Sequence, residues 1–143
     1  MKLSAKAEYA CIAMLELAAS YGSNEPVQIR RIAEQHGIPQ RFLVQILLQL
    51  KGAGLVASTR GAAGGYRLIR APDDVTLGEV MEVIEGSSAE AATPAASADS
   101  PAVSVLHEAW HEAAAAQREV LDGLSFAQLV ERTRARGGNM YYI

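Results

Sequence analysis

Residues 30–54 read RRIAEQHGIPQRFLVQILLQLKGAG. Two short helical patterns meet there at Gly37, the first spanning VQIRRIAEQH (27–36) and the second IPQRFLVQILLQLKGAG (38–54). Pro39 sits near the first turn of the second helix, and Gly52 and Gly54 follow its end. Small Ala33 lets the two helices approach. Gly37 accepts the left-handed backbone of a tight turn, and Ile32, Ile38, Leu43 and Ile46 supply the apolar anchors that fix the crossing angle. The stretch is a helix-turn-helix. Its second helix divides into two faces. Phe42, Leu43, Ile46, Leu47 and Leu50 are expected toward the core, while Gln40, Arg41, Val44, Gln45, Gln49 and Lys51 remain for solvent or a ligand. Glutamine and arginine near a helix start are the side chains that bond base edges and phosphates when such a helix enters a major groove.

Immediately downstream, LVASTR (55–60) and YRLIR (66–70) alternate as strands around the loop GAAGG (61–65). A hairpin directly after a helix-turn-helix is the element order of a winged helix. Its tip can lie along a minor groove, whose negative potential draws in an arginine such as Arg60. The loop lacks Gly-Lys-Ser or Gly-Lys-Thr and leads into a strand, so it does not read as a phosphate-cradling nucleotide loop.

Upstream, SAKAEYACIAMLELAASY (4–21) places Ala7, Ala10, Cys11, Met14, Leu17, Ala18 and Tyr21 at helical three-and-four spacing behind an N-cap at Ser4. Cys11 lies on this apolar stripe and reads as a small core residue. Downstream, Asp73 and Asp74 lead into TLGEVMEVIEG (76–86), with Leu77, Val80, Met81 and Ile84 on one face. SSAEAATPAASADS (87–100) is poor in bulky side chains and reads as a flexible loop. After Pro101, Val103, Leu106, Trp110, Ala113, Gln117, Val120 and Leu124 alternate steps of three and four, a coiled-coil-like seam suited to a second copy of the chain. SFAQLVERTRAR (125–136) adds a terminal helix.

Charge is divided along the chain. Residues 1–72 carry nine Lys and Arg against four Glu, a net of +5, and residues 73–143 carry four Arg against twelve Asp and Glu, a net of −8. The overall −3 hides a basic half suited to nucleic acid. No apolar run approaches the ~20 residues of a membrane span, and no charged-then-apolar leader is present, so a soluble cytoplasmic protein is expected. One cysteine in 143 residues excludes an internal disulfide and a thiolate-rich metal site built within one chain. No nucleophile elbow, paired acid motif or His-rich spacing points to an enzyme.

MKLSAKAEYACIAML (1–15), the stretch from Arg30 through Leu68, TLGEVMEVIEG (76–86) and LHEAW (106–110) together resemble the winged-helix bacterial transcription regulators of the Rrf type. The Arg-Gly-two-small-Gly-Gly-Tyr wing is the most specific match. Better-known members regulate iron–sulfur assembly, sense nitric oxide or control cysteine metabolism. The resemblance implies a homodimer on a partly palindromic promoter site, with the long helices crossing between subunits. Carried over by position, Arg41, Val44 and Gln45 become major-groove readers and Arg60 the minor-groove arginine. Gly64, Gly65 and Tyr66 shape the wing, and Lys2, Ser4, Lys6 and Gln28 contact the DNA backbone. Leu48 departs from the pattern by placing an apolar side chain on the exposed face.

Cluster-binding members carry three cysteines where this chain has Ala92, Ala98 and Ser104, so a regulator with no cofactor is expected. The expected fold is mainly α with a small β-hairpin. It comprises a winged helix-turn-helix over 1–85, a loop over 86–100, and a long dimerisation helix with a C-terminal helix over 101–143. The expected partners are double-stranded promoter DNA, a second copy of the chain, and an effector or partner protein acting on the acidic half, with no membrane. A winged-helix protein-interaction module, and a redox or metal sensor built on Glu8, Cys11 and His107, are the alternatives.

Overall fold

The structure is a computed structural model that describes residues 3–23, 25–86 and 100–141, with side chains through residue 137. Its elements run α1 (Ala5–Ala19), α2 (Ile29–His36), α3 (Gln40–Gly52), β1 (Val56–Thr59), β2 (Gly65–Leu68), a 3-10 turn (Pro72–Asp74), α4 (Leu77–Glu85), α5 (Pro101–Asp122) and α6 (Phe126–Tyr141). The fold is mainly helical with one two-stranded antiparallel hairpin, a winged helix-turn-helix followed by a long helix. The expected loop at 87–100 lies outside the described residues except for Ser100, which caps α5. No helix among the described residues is long and apolar enough to cross a membrane.

Local chemistry accounts for the element ends. Ser4 caps α1 by accepting from the Ala7 N–H at 3.1 Å, and Thr76 caps α4 by accepting from Glu79 at 3.2 Å. Ser125 and Gln128 satisfy each other's backbone N–H groups at 3.2 and 3.1 Å, a reciprocal capping box that starts α6. Gly37 ends α2 at φ 64°, and Ile38 N–H reaches back to the Ala33 carbonyl at 3.0 Å, so the turn between α2 and α3 closes its own carbonyls.

One apolar core joins all of this. α1 contributes Ala7, Ala10, Ala13, Met14 and Leu17. Its alanines let neighbouring helices approach closely, and α3 buries Leu43, Ile46, Leu47 and Leu50. The C-terminal segment shares the same core: Phe126 is fully buried and Val130 nearly so. The chain is pinned there by Phe126 N–H to the Val75 carbonyl and Leu77 N–H to the Leu124 carbonyl, both 2.9 Å.

Four side chains depart from the sequence expectation. Tyr21 lies past the end of α1 and is exposed, because the helix stops at Ala19 before the apolar stripe reaches it. Phe42 does not enter the core and is 45 % exposed. Gln49 is not left for solvent: its amide donates to the Val83 carbonyl at 2.9 Å and ties α3 to α4. Leu124 is not on the long helix, which ends at Asp122. It lies beyond the Gly123 cap, and its carbonyl serves the pairing with Leu77.

Candidate nucleic-acid interface

The exposed side of α3 is a stripe. Gln40, Arg41, Gln45 and Leu48 are exposed and Val44 half-buried, positions i, i+1, i+4, i+5 and i+8 of one helix face, about 12 Å long at 1.5 Å per residue. The Leu43, Ile46, Leu47 and Leu50 face is buried against the rest of the domain, so the stripe is rigidly presented. Phe42 is part of the presentation. Its ring stacks on Tyr9 of α1 with centroids 6.4 Å apart and planes at 28°, and the Arg41 guanidinium carbon sits 5.1 Å from its centroid. A guanidinium over an aromatic face gains about 0.5–1 kcal/mol at an exposed site and keeps its N–H edge free for hydrogen bonds.

The wing is a short hairpin in the register Val56↔Leu68, Ala57↔Arg67, Ser58↔Tyr66 and Thr59↔Gly65. Residues 60–64 form its tip, with Arg60 exposed and without an ion pair among the described residues. Gly64 is required by contact: a Cβ there would lie 2.2 Å from the Thr59 carbonyl oxygen and 2.9 Å from the Gly61 oxygen. Gly65 is required by the approach of another segment, since its Cβ would lie 2.4 Å from the Val27 carbonyl oxygen. Val27 and Tyr66 exchange two backbone hydrogen bonds of 2.8 Å, adding a one-residue third strand that the sequence reading placed inside a helix. Gln28 follows directly, and its amide donates to the Ala62 carbonyl at 3.1 Å, tethering the wing tip to the start of α2.

Among the remaining basic groups, Lys51 donates to the Ser58 hydroxyl at 2.7 Å and Arg67 to the Thr59 hydroxyl at 3.2 Å, both staying exposed. Arg70 is occupied by Glu79 at 2.6 Å and by the Asp74 carbonyl. The Glu79 hydrogen bond raises its pKa further above the ordinary arginine value. Lys6 is exposed on the first turn of α1, and Lys2 lies outside the described residues. The Ser4 hydroxyl is engaged twice, accepting from Ala7 N–H and donating to the Glu85 carboxylate.

The sequence profile of the Rrf2 family, described as iron-dependent transcriptional regulators, matches residues 3–132. The chain belongs to the Rrf2 family. It is 34 % identical to the HTH-type transcriptional regulator CymR of Bacillus subtilis over 144 residues, covering 100 % of both chains. It is also 34 % identical to the HTH-type transcriptional regulator IscR of Aliivibrio salmonicida over 131 residues, covering 91 % of this chain and 77 % of that one. Among solved structures it resembles CymR, the global cysteine regulator of B. subtilis, with a TM-score of 0.79 at 33 % identity over 92 % of this chain and 98 % of that one. IscR of T. potens gives a TM-score of 0.78 at 34 % identity over 93 % and 88 %.

The donor set of this Rrf2-family chain does not fit a thiolate-held iron–sulfur cluster. Its one cysteine, Cys11, is half-buried on α1, where desolvation pushes its thiol up to about 11. A thiol so placed is protonated at neutral pH and a poor metal ligand. Ala92 and Ala98 lie outside the described residues, and Ser104 is exposed on α5. Glu8 is exposed on α1 and His107 half-buried on α5. Among the described residues no three His, Cys, Asp or Glu side chains converge as metal ligands.

α5 carries the expected seam. None of its side chains is buried, and Leu106, Trp110 and Val120, flanked by Val105, are between 55 and 66 % exposed. Ala113 and Gln117 are exposed with them, and Val103 is half-buried. The end of α5 meets α4, where Arg118 pairs with Glu82 and Asp122 lies so close to Gly78 that a Cβ there would sit 1.9 Å from its Oδ1. The sequence reading singled out neither this contact nor Arg31 as a site residue. No periodicity signals a side chain that matters because a distant segment passes beside it.

Proposed function

We propose that the chain is a sequence-specific DNA-binding transcription regulator, acting as a homodimer on a partly palindromic promoter site, as a repressor and without an iron–sulfur cluster. The reading rests on one conjunction. A rigid exposed stripe headed by Gln40 and Arg41 stands beside a wing whose tip bears an unpaired Arg60, on the half of the chain with net charge +5. Arg41, Val44 and Gln45, with Gln40, meet base edges in the major groove. Arg60 enters the adjacent minor groove, and Gly64, Gly65 and Tyr66 hold the wing in shape. Lys2 and Lys6 meet phosphates by charge, while Ser4 and Gln28 help place the α1 and α2 starts against the backbone.

Residues 1–85 act as the DNA-binding domain, 86–100 as the connecting loop and 101–143 as the dimerisation element, with α6 anchoring that element in the DNA-binding core. A 22-residue α5, about 33 Å long, that exposes Leu106, Trp110 and Val120 is suited to cover a second copy of itself. Two recognition helices fixed by one dimer read two half-sites in opposite directions, which is why a palindrome suits the assembly. Occupancy of such a site blocks the promoter duplex.

The test is a gel-shift titration on the duplex upstream of the chain's own coding sequence. Arg41→Ala and Arg60→Ala are each expected to weaken binding by about 1–3 kcal/mol, roughly 5- to 150-fold. Unchanged binding by both overturns the residue assignment. A wild-type chain that binds no duplex overturns the DNA reading in favour of protein docking. In the same preparation, Trp110→Asp is expected to convert a sedimenting dimer to a monomer, and a wild-type monomer would refute the seam.

A further inference from the structure

Between the first turn of α2 and the flank of the wing runs a groove of about 500 Å³, with Gln28, Arg31, Thr59 and Arg67 along its lining and Glu25 beside them. Its walls are held in place by the structure itself. Gln28 bonds the Ala62 carbonyl at 3.1 Å, Arg67 bonds the Thr59 hydroxyl at 3.2 Å, and the Val27–Tyr66 pair fixes one wall to the other. The groove's charge is arranged asymmetrically. Arg30 is paired with Glu34 at 3.0 Å, whereas Arg31 has no ion pair among the described residues and lies on the groove. A second depression, sharing Gln28 and Arg31, continues the surface along α2 to Gln35.

The groove adjoins the wing tip directly: Thr59 precedes Arg60, and Ala63 lines the far side of the same loop. A minor groove is only about 6 Å wide, so an arginine inserted into it is flanked closely by the sugar-phosphate chains on either side. Whatever surface flanks Arg60 therefore faces phosphate oxygens. The surface on the α2 side offers two guanidinium groups, a hydroxyl and an amide, the donor set that phosphates recruit.

Resting on the DNA-binding reading above, we propose that this groove seats the sugar-phosphate backbone bordering the minor groove. Arg31 and Arg67 supply its charge, Thr59 and Gln28 its short polar bonds, and the Glu25 carboxylate opposes the grip. The seat is blind to sequence. It sets affinity and salt sensitivity, and α3 sets the choice of site. Glu25 has no ion pair among the described residues, so its repulsion of phosphate is not neutralised within this part of the chain.

Binding constants measured between 50 and 300 mM salt, on the duplex upstream of the chain's own coding sequence and on a scrambled duplex, test the proposal. Arg31→Ala and Arg67→Ala are each expected to reduce the slope of log K against log salt by about 1, with equal weakening on both duplexes. Arg67→Lys should keep the slope. Glu25→Gln should tighten binding to both duplexes, a gain that misfolding does not produce. Arg132→Ala on α6, which removes the same charge elsewhere, should leave the slope unchanged. The proposal is overturned by wild-type slopes in Arg31→Ala and Arg67→Ala, by weakening confined to the chain's own site, or by an inert Glu25→Gln. If the wild-type chain binds neither duplex, the DNA reading itself has failed, a result distinct from wild-type binding with unaltered slopes.

Discussion

Replacing Phe126 with alanine is expected to cost the fold about 3–5 kcal/mol, the range for emptying a fully buried phenylalanine site. The side chain has no exposure at all, and its backbone N–H bonds the Val75 carbonyl at 2.9 Å, so it sits where α6, the 74–77 segment and α1 converge. A cavity there loses the transfer free energy of the ring. It also loosens the Thr76–Ser125 bridge that orients the start of α4. Native domains are stable by only about 5–15 kcal/mol, so a substantial fraction of the total is at stake. Urea denaturation followed by circular dichroism measures it. Leu48→Ala is the comparison: Leu48 is 50 % exposed, and its truncation should shift stability by no more than about 0.5 kcal/mol. Equal midpoints for Phe126→Ala and wild type would refute the claim that the C-terminal helix is built into the DNA-binding core.

The second large effect is expected at the wing. Gly64→Ala places a methyl group 2.2 Å from one backbone oxygen and 2.9 Å from another, and neither neighbour is a flexible side chain that can swing aside. The loop must open. Holding a backbone in an unfavourable arrangement costs of order 1–3 kcal/mol, so DNA affinity should fall roughly 5- to 150-fold if Arg60 depends on the loop for its position. Helix content should be retained, because α1, α3 and α4 bury their faces independently of residues 60–64. Ala62→Gly, one position from the tether but without a steric demand, is the matched control. Wild-type affinity in Gly64→Ala would mean that the tip geometry is irrelevant to binding.

The sequence reading recovered the elements that obey a period and lost those that depend on a passing neighbour. Ala7, Ala10, Met14 and Leu17 share a helical stripe and are buried together, as are Leu43, Ile46, Leu47 and Leu50. Gly37 and Ser4 carry local chemistry, a left-handed backbone and a hydroxyl cap, and both act as their residue types dictate. Val27 was different. One residue of strand pairing with Tyr66 has no period to detect, and its neighbours Ile29, Ile32 and Ala33 do follow a helical one. Phe42 was placed in the core because it is apolar and adjacent to Leu43. The α3 face beneath it is already filled by Leu43, Ile46 and Leu47, leaving the ring to stack on Tyr9 at the surface.

The candidate site divides in the same way. Arg41, Gln45 and Arg60 stand on elements whose exposed faces follow from helical or hairpin geometry, so their outward placement was legible. Gln28 and Gln49 were not distinguishable as polar side chains in a sequence. One tethers the wing and the other ties α3 to α4, and only the approach of Ala62 and Val83 assigns those tasks.

By itself, then, the sequence determined the order of helices and hairpin, the basic and acidic halves, the glycine turn of the helix-turn-helix and the lack of a thiolate set. Each is a property of composition or of spacing along one element. Only the tertiary structure decided that Phe126 completes the core of a domain begun a hundred residues earlier, that Phe42 supports Arg41 from outside, and that Arg31 and Arg67 border one groove. Periodicity fixes which residues share a face. Which distant face meets it is set by the packing of the whole chain, where burial of the most apolar surface outweighs any local preference.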